Sequence, residues 1–286
     1  MRSIPRPRAS SMTALAVTLA AAAALPACGR KVTNDPDAVR AAAVAGHTDR
    51  ALEGIAVAAS LLADVPPAAL PQDAVVVARD VLNVLFLGCA DIEIFTGTTA
   101  GLTIAFPDGG CRVPLTGVAL QGTLTFTATT ADDSSTWSLV LEDFVVPEFQ
   151  GDGAVTVVIL EGRSVTYDVE DLWVSVAGVE VTLNGAGVVY SAAGSRDVVF
   201  DGSGQVGYDG NTYGFDVDAL SRRPSRDCYP ESGRITVSLR LENGLDASAT
   251  VDFKDHGGLD TDDSGLVKVT IEGRSLTAAL PERACD

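Results

Sequence analysis

The chain has 286 residues, 47% of them hydrophobic, and a formal charge of −18. That length allows one large domain or two small ones with a sizeable core. The acidic balance excludes nucleic acid, whose binding needs a basic footprint, and docking of the protein surface on an anionic membrane; its plain consequence is a soluble exterior.

At the N-terminus, Arg2, Arg6 and Arg8 precede an apolar run from Ala14 to Leu25. The run is too short to span a bilayer and has the layout of an export signal. It ends in Leu25-Pro26-Ala27-Cys28. This stretch resembles the leader and lipobox of bacterial lipoproteins. Leu25, Ala27 and Cys28 match, and Pro26 departs from the small or β-branched residue commoner there. The resemblance covers the leader alone. It implies removal of residues 1–27, lipidation of Cys28 and a place in the bacterial cell envelope, anchored to a membrane without spanning it. Gly29 after the cysteine implies the outer membrane, as in lipoproteins of the enterobacterial type. The cleaved chain has 17 basic residues against 38 acidic ones, a charge of −21.

Residues 28–35 are then a lipidated tether, 36–88 a helical segment and 89–286 a β domain. Asp35-Pro36 is a helix start, with a carboxylate N-cap and proline at the first helical position. The Ala-rich stretch from 36 to 63 places Leu52, Ile55, Ala59 and Leu62 on one face. Gly46-His47-Thr48-Asp49 is a candidate break or kink in it. A second helix covers Gln72 to Leu87, with Gln72, Asp73, Arg79, Asp80 and Asn83 on its wet side. Both helices are expected to cover the dry face of a sheet.

That sheet is built from hairpins that recur. Gly153 to Leu172 and Gly265 to Leu280 each read as a glycine, an apolar/Thr run, the turn Glu-Gly-Arg-Ser and a second run. Looser copies surround them. The recurrence reflects either internal duplication or shared β-propensity and turn chemistry. Alternation of period two sets Ile235, Val237, Leu239 and Leu241 on one face, and likewise Val165, Tyr167 and Val169; Val179, Val181 and Leu183; Tyr213, Phe215 and Val217. About twelve strand-like runs lie between Asp91 and Leu280. The expected fold is mainly β, an antiparallel meander of hairpins closed as a sandwich, barrel or curved sheet, with the helical segment packed on it. A transmembrane barrel would need aromatic girdles, and aromatics are 6% of the chain. A weak internal boundary falls near Arg222-Arg223-Pro224-Ser225.

Besides Cys28 there are four cysteines, an even number in an exported chain, which reads as two disulfides. Pairing between sequence neighbours gives Cys89–Cys111 and Cys228–Cys285. No Cys-x-x-Cys occurs, so a redox pair or zinc ribbon lacks support.

Catalytic groupings are scarce. His47 and His256 are the two histidines, and no Gly-x-Ser-x-Gly elbow accompanies either. There is no phosphate loop and no dinucleotide fingerprint. The adjacent carboxylates Glu142/Asp143 and Glu170/Asp171 would point to opposite faces of a regular strand, and so could not flank one glycosidic bond. The best candidate site is the acidic stretch Asp255 to Gly265. Asp260, Asp262 and Ser264 fall at the spacing of the front half of an EF-hand calcium loop, but Ile271 stands where the closing carboxylate belongs. A solvated hairpin turn accounts for the same residues.

These observations lead to the expectation of a lipid-anchored envelope protein of structural or interaction type, without enzymatic activity and without a cofactor. Two other readings are carried. One is a carrier or sensor of an apolar ligand held by a curved sheet. The other is a surface domain stabilised by calcium. The expected partners are the membrane, through the anchor, and either another protein or an apolar ligand.

Overall fold

The computed structural model describes residues 32–61, 71–112, 119–131, 134–146, 149–160, 164–176, 178–191, 198–222, 229–253 and 265–281. Two helices come first, α1 (Pro36–Ser60) and α2 (Pro71–Phe86). Then follow β1 (Asp91–Thr96), β2 (Ala100–Arg112), β3 (Ala119–Ala131), β4 (Ser134–Val146), β5 (Phe149–Leu160), β6 (Ser164–Val176) and β7 (Val179–Ser191). The chain continues with β8 (Val198–Tyr208), β9 (Asn211–Arg222), β10 (Ser232–Arg240), β11 (Asp246–Asp252), β12 (Leu266–Ile271) and β13 (Arg274–Ala279).

All thirteen strands form one antiparallel sheet in strict sequence order, β1 to β13. The fold is thus mainly β, an antiparallel meander of hairpins with the helices packed on it. Turn chemistry sets the register where the hairpins are tight. Asp209 and Gly210 have φ of 50° and 70°, and Glu272 and Gly273 have 48° and 75°. Two successive positive φ values make the two-residue turn whose twist matches its flanking strands. The sheet continues without interruption past Arg222, since β9 pairs with β10.

The alternation seen in the sequence is the alternation of burial. Ile235, Val237, Leu239 and Leu241 are buried, as are Val165, Tyr167, Val169, Tyr213, Phe215 and Val217. Their dry face is concave and encloses α1. That helix touches β5 to β8 and also β10 to β13, while α2 lies against β1 to β3. A flat sheet could not present so many strands to one helix, so this sheet is strongly curved.

Asp35 begins α1 as expected. Its carboxylate accepts the Ala38 N–H at 3.2 Å and meets Arg274 at 3.1 Å. The first of these contacts is the main reason its pKa lies below the ordinary 3.8. One expectation for α1 is corrected. Gly46-His47-Thr48-Asp49 does not break the helix, which runs unbroken from Pro36 to Ser60. Leu52 and Ile55 are buried as expected, while Leu62 lies outside the described residues, and burial extends beyond their face to every residue from Val44 to Leu52. The cause is the sheet, which surrounds this stretch of the helix and leaves it no wet side. Small residues make this possible. A Cβ on Gly54 would stand 2.5 Å from the Phe149 ring, and one on Gly46 would stand 2.8 Å from Pro281. Helix α2 keeps to the expected pattern, with Gln72, Asp73, Asp80 and Asn83 exposed and Ala74, Val75, Ala78, Leu82 and Phe86 buried.

Candidate functional site

Polar side chains inside the curl are the first place to look for chemistry. They belong to the middle of α1. His47, Thr48, Asp49 and Arg50 are all buried there, and so is Arg222 at the end of β9. The Arg222 guanidinium stands 3.2 Å from the Asp49 carboxylate and 2.8 Å from that of Glu53, one helical turn on. One fixed planar cation thus joins two carboxylates, so that the buried Asp49 charge has a partner. Arg50 donates to the carbonyl of Pro281 at 3.2 Å, and the Tyr229 hydroxyl donates to the same oxygen at 3.1 Å. Thr48 donates to the carbonyl of Val44 at 2.8 Å.

His47 packs on β8. Its ring lies 4.9 Å from that of Tyr208, tilted by 33°. Burial, and then the positive charge of Arg50, push its pKa down to about 4. The imidazole is therefore neutral at neutral pH. The arrangement clamps α1 to the sheet through opposite charges. It does not present a base and a nucleophile to one point.

A second polar feature lies on the outer face. At three places two residues of one strand oppose one residue of the next. Glu142 and Asp143 face Asp152, Glu170 and Asp171 face Asn184, and Asp218 and Ala219 face Asp201. The second residue of each pair is left-handed, with φ of 48° at Asp143, 49° at Asp171 and 48° at Ala219. In each case its N–H donates, at 2.7 Å, to the side-chain oxygen of the residue opposite. These are β-bulges with a side-chain cap, a device that raises local twist and bends a sheet. Both residues of each pair are exposed. The expectation that Glu142/Asp143 and Glu170/Asp171 point to opposite faces is therefore corrected: the bulge suspends alternation, and both turn outward. Their work is to shape the sheet.

On the inner face, Tyr167 lies over two glycines of neighbouring strands. A Cβ at Gly187 or Gly202 would stand 2.7 Å or 2.9 Å from its hydroxyl. Burial, with Asp201 adding to it, raises the pKa of this phenol.

Of the residues singled out in the sequence, Cys89 and Cys111 are joined by a disulfide across 5.7 Å between Cα atoms. It fastens the entry to β1 to the far end of β2. Cys28, Cys228, Cys285, His256 and the calcium candidates Asp260, Asp262 and Ser264 lie outside the described residues. Sequence reasoning missed Arg222 and its partners Asp49 and Glu53. The only local signal was a charged His-Thr-Asp-Arg run in an otherwise apolar helix. No protein-family model matches the chain, and neither the curated proteins nor the solved structures contain a match.

Proposed function

We propose that this chain is a lipid-anchored protein of the bacterial cell envelope, held at Cys28, that acts as a structural or interaction module without catalysing a reaction. The observation that carries the reading is the burial of the middle of α1, from Val44 to Leu52, on all sides within the curved sheet. A carrier keeps its concave face for cargo, and here the chain's own helices cover it. The buried charges support the same reading, since they are spent on holding α1 in place. No helix among the described residues is long and apolar enough to cross a membrane.

The test is intact-mass measurement of the protein purified from its own membranes, under native and denaturing conditions. An acylated chain beginning at Cys28 with nothing bound agrees with the proposal. A stoichiometric apolar ligand would replace it with the carrier reading, in which α1 leaves the concave face. Robust turnover of a substrate would overturn it outright. A melting temperature that falls on chelation would instead favour the calcium-stabilised domain.

A further inference from the structure

We infer that the free edge of β1 is a docking site for an extended segment of another protein, one that alternates basic with apolar residues. The inference rests on the interaction-module reading and names the class of partner. The meander has two ends. Among the described residues, β1 pairs with β2 alone and β13 with β12 alone. The β13 end receives a backbone contact from outside the sheet, since the Thr33 N–H donates to the Thr277 carbonyl at 2.8 Å. No described residue outside the sheet makes such a contact with β1. In an antiparallel pair, alternate residues aim both N–H and C=O away from the neighbouring strand. Those groups of β1 form a template for one further strand.

The side chains of β1 select what that strand carries. Asp91 and Glu93 are exposed on the outer face, and their cross-strand neighbours on β2 are the uncharged Ala105 and Thr103. Neither acid has an ion pair among the described residues. Ile92 and Ile94 alternate with them and are only half-buried, packed on the core at its margin. Exposed apolar surface also concentrates at this end of the fold. Val76, Val84 and Leu87, on or just after α2, and Phe95 in β1 are four of the seven large apolar side chains exposed among the described residues, and α2 lies against β1 to β3. A second copy of this chain is disfavoured as the occupant. The antiparallel register that matches the faces of two β1 strands over their greatest length pairs Ile92 with Ile94 of the other copy. It then sets Glu93 directly against the other Glu93, and like charges placed opposite destabilise a sheet. A strand with Lys or Arg at its outward positions meets both acids with opposite charge. Val or Ile at its inward positions covers Ile92 and Ile94.

The experiment titrates the full chain with three short peptides. One alternates lysine with valine and one alternates glutamate with valine. The third keeps the lysines but has proline for every second valine, so that it cannot complete a ladder. Fluorescence anisotropy reads affinity, and hydrogen exchange reads the place of binding. The lysine–valine peptide is expected to bind and to slow exchange in β1, with the proline peptide about tenfold weaker or worse. Exchanging both acids for lysine (Asp91→Lys with Glu93→Lys) is expected to weaken the lysine–valine peptide about tenfold and to strengthen the glutamate–valine peptide by a similar factor. Circular dichroism checks that this variant is folded. Equal binding of the proline peptide, affinity unchanged by the charge exchange, slowed exchange elsewhere than in β1, or no binding overturns the edge site. So does protection of β1 that rises with the concentration of the chain alone, which would make a second copy the occupant. These outcomes leave the acyl mass on Cys28 untouched. Turnover of a substrate or a bound apolar ligand would strike the interaction reading itself, whatever the peptides do.

Discussion

Arg222 and Asp49 are 173 positions apart in the chain and 3.2 Å apart in the fold, both buried. With Glu53 they fasten the first helix to the ninth strand. Removing the cation would leave Asp49 buried beside a second carboxylate. Arg222→Met is expected to cost about 3–5 kcal/mol. Adding Asp49→Asn and Glu53→Gln to it should restore part of that loss. Urea denaturation of the three chains checks this; a single variant as stable as the parent would show that the clamp contributes nothing.

His47 sets a pH window. Its unfolded pKa is the ordinary 6.5, and in the fold it stands at about 4. Between these values the unfolded chain binds the extra proton, so stability falls as pH is lowered from about 6.5 toward 4. The full loss, on the order of 3 kcal/mol, is present below about pH 4. The Asp35 contribution is lost only at lower pH, as pH drops through a pKa that lies below 3.8. In His47→Phe, which keeps a ring beside Tyr208, the slope between pH 6.5 and 4 should be shallower by one proton. Unchanged slopes in melts across that range would rule the histidine out.

The capped bulges offer opposite-signed substitutions. Asn184→Ala removes the cap from the Asp171 N–H and the 3.0 Å bond back to the Asp171 carboxylate. About 1 kcal/mol of stability should go with it. Ala219→Gly relieves a left-handed alanine, φ 48°, and should gain about 0.5–1 kcal/mol. Calorimetry on the two variants should show melting temperatures moving in opposite directions.

The Cys89–Cys111 bond closes a loop with a sequence separation of 22. Replacing both cysteines with serine should cost about 3 kcal/mol through the freed entropy of the unfolded chain. Hydrogen exchange would place the loss. Faster exchange is expected first in β1 and at the end of α2, with β6 to β9 nearly unchanged.

Much of the architecture was legible because burial follows a period of two. The inward positions of β6, β9 and β10 could be read from apolar alternation alone, and α2 from its single apolar face. The polar belt could not. Arg222 sits in the sequence beside Arg223 and Pro224, where a cation reads as solvent-exposed, and its partners lie on a helix far upstream. Burial of the middle of α1 on all sides was hidden for a related reason. Alanines give a weak face signal, and only the curvature of the sheet decides that both sides are dry. Glu142 and Glu170 misled for a third reason: a bulge resets the alternation, and the Asp or Asn that caps it lies on another strand.

The order of strands in the sheet bears on how the chain assembles. Every strand pairs with its immediate neighbour in sequence, so hairpins can zip locally, with little loop entropy to overcome. Helix α1 is the exception. It is made first and yet docks on strands as late as β13, so its seat is complete only when the C-terminal hairpin is in place. A chain leaving an export channel N-terminus first would hold this helix unsheltered until the end. The Ala-rich composition of α1 and the buried clamp at Arg222 suit such a latecomer. It is slender enough to enter a sheet already curled and is secured after entry by the Arg222 cation, which meets both Asp49 and Glu53. A chain ending after β9 should therefore retain strand content by circular dichroism while α1 becomes a target for limited proteolysis.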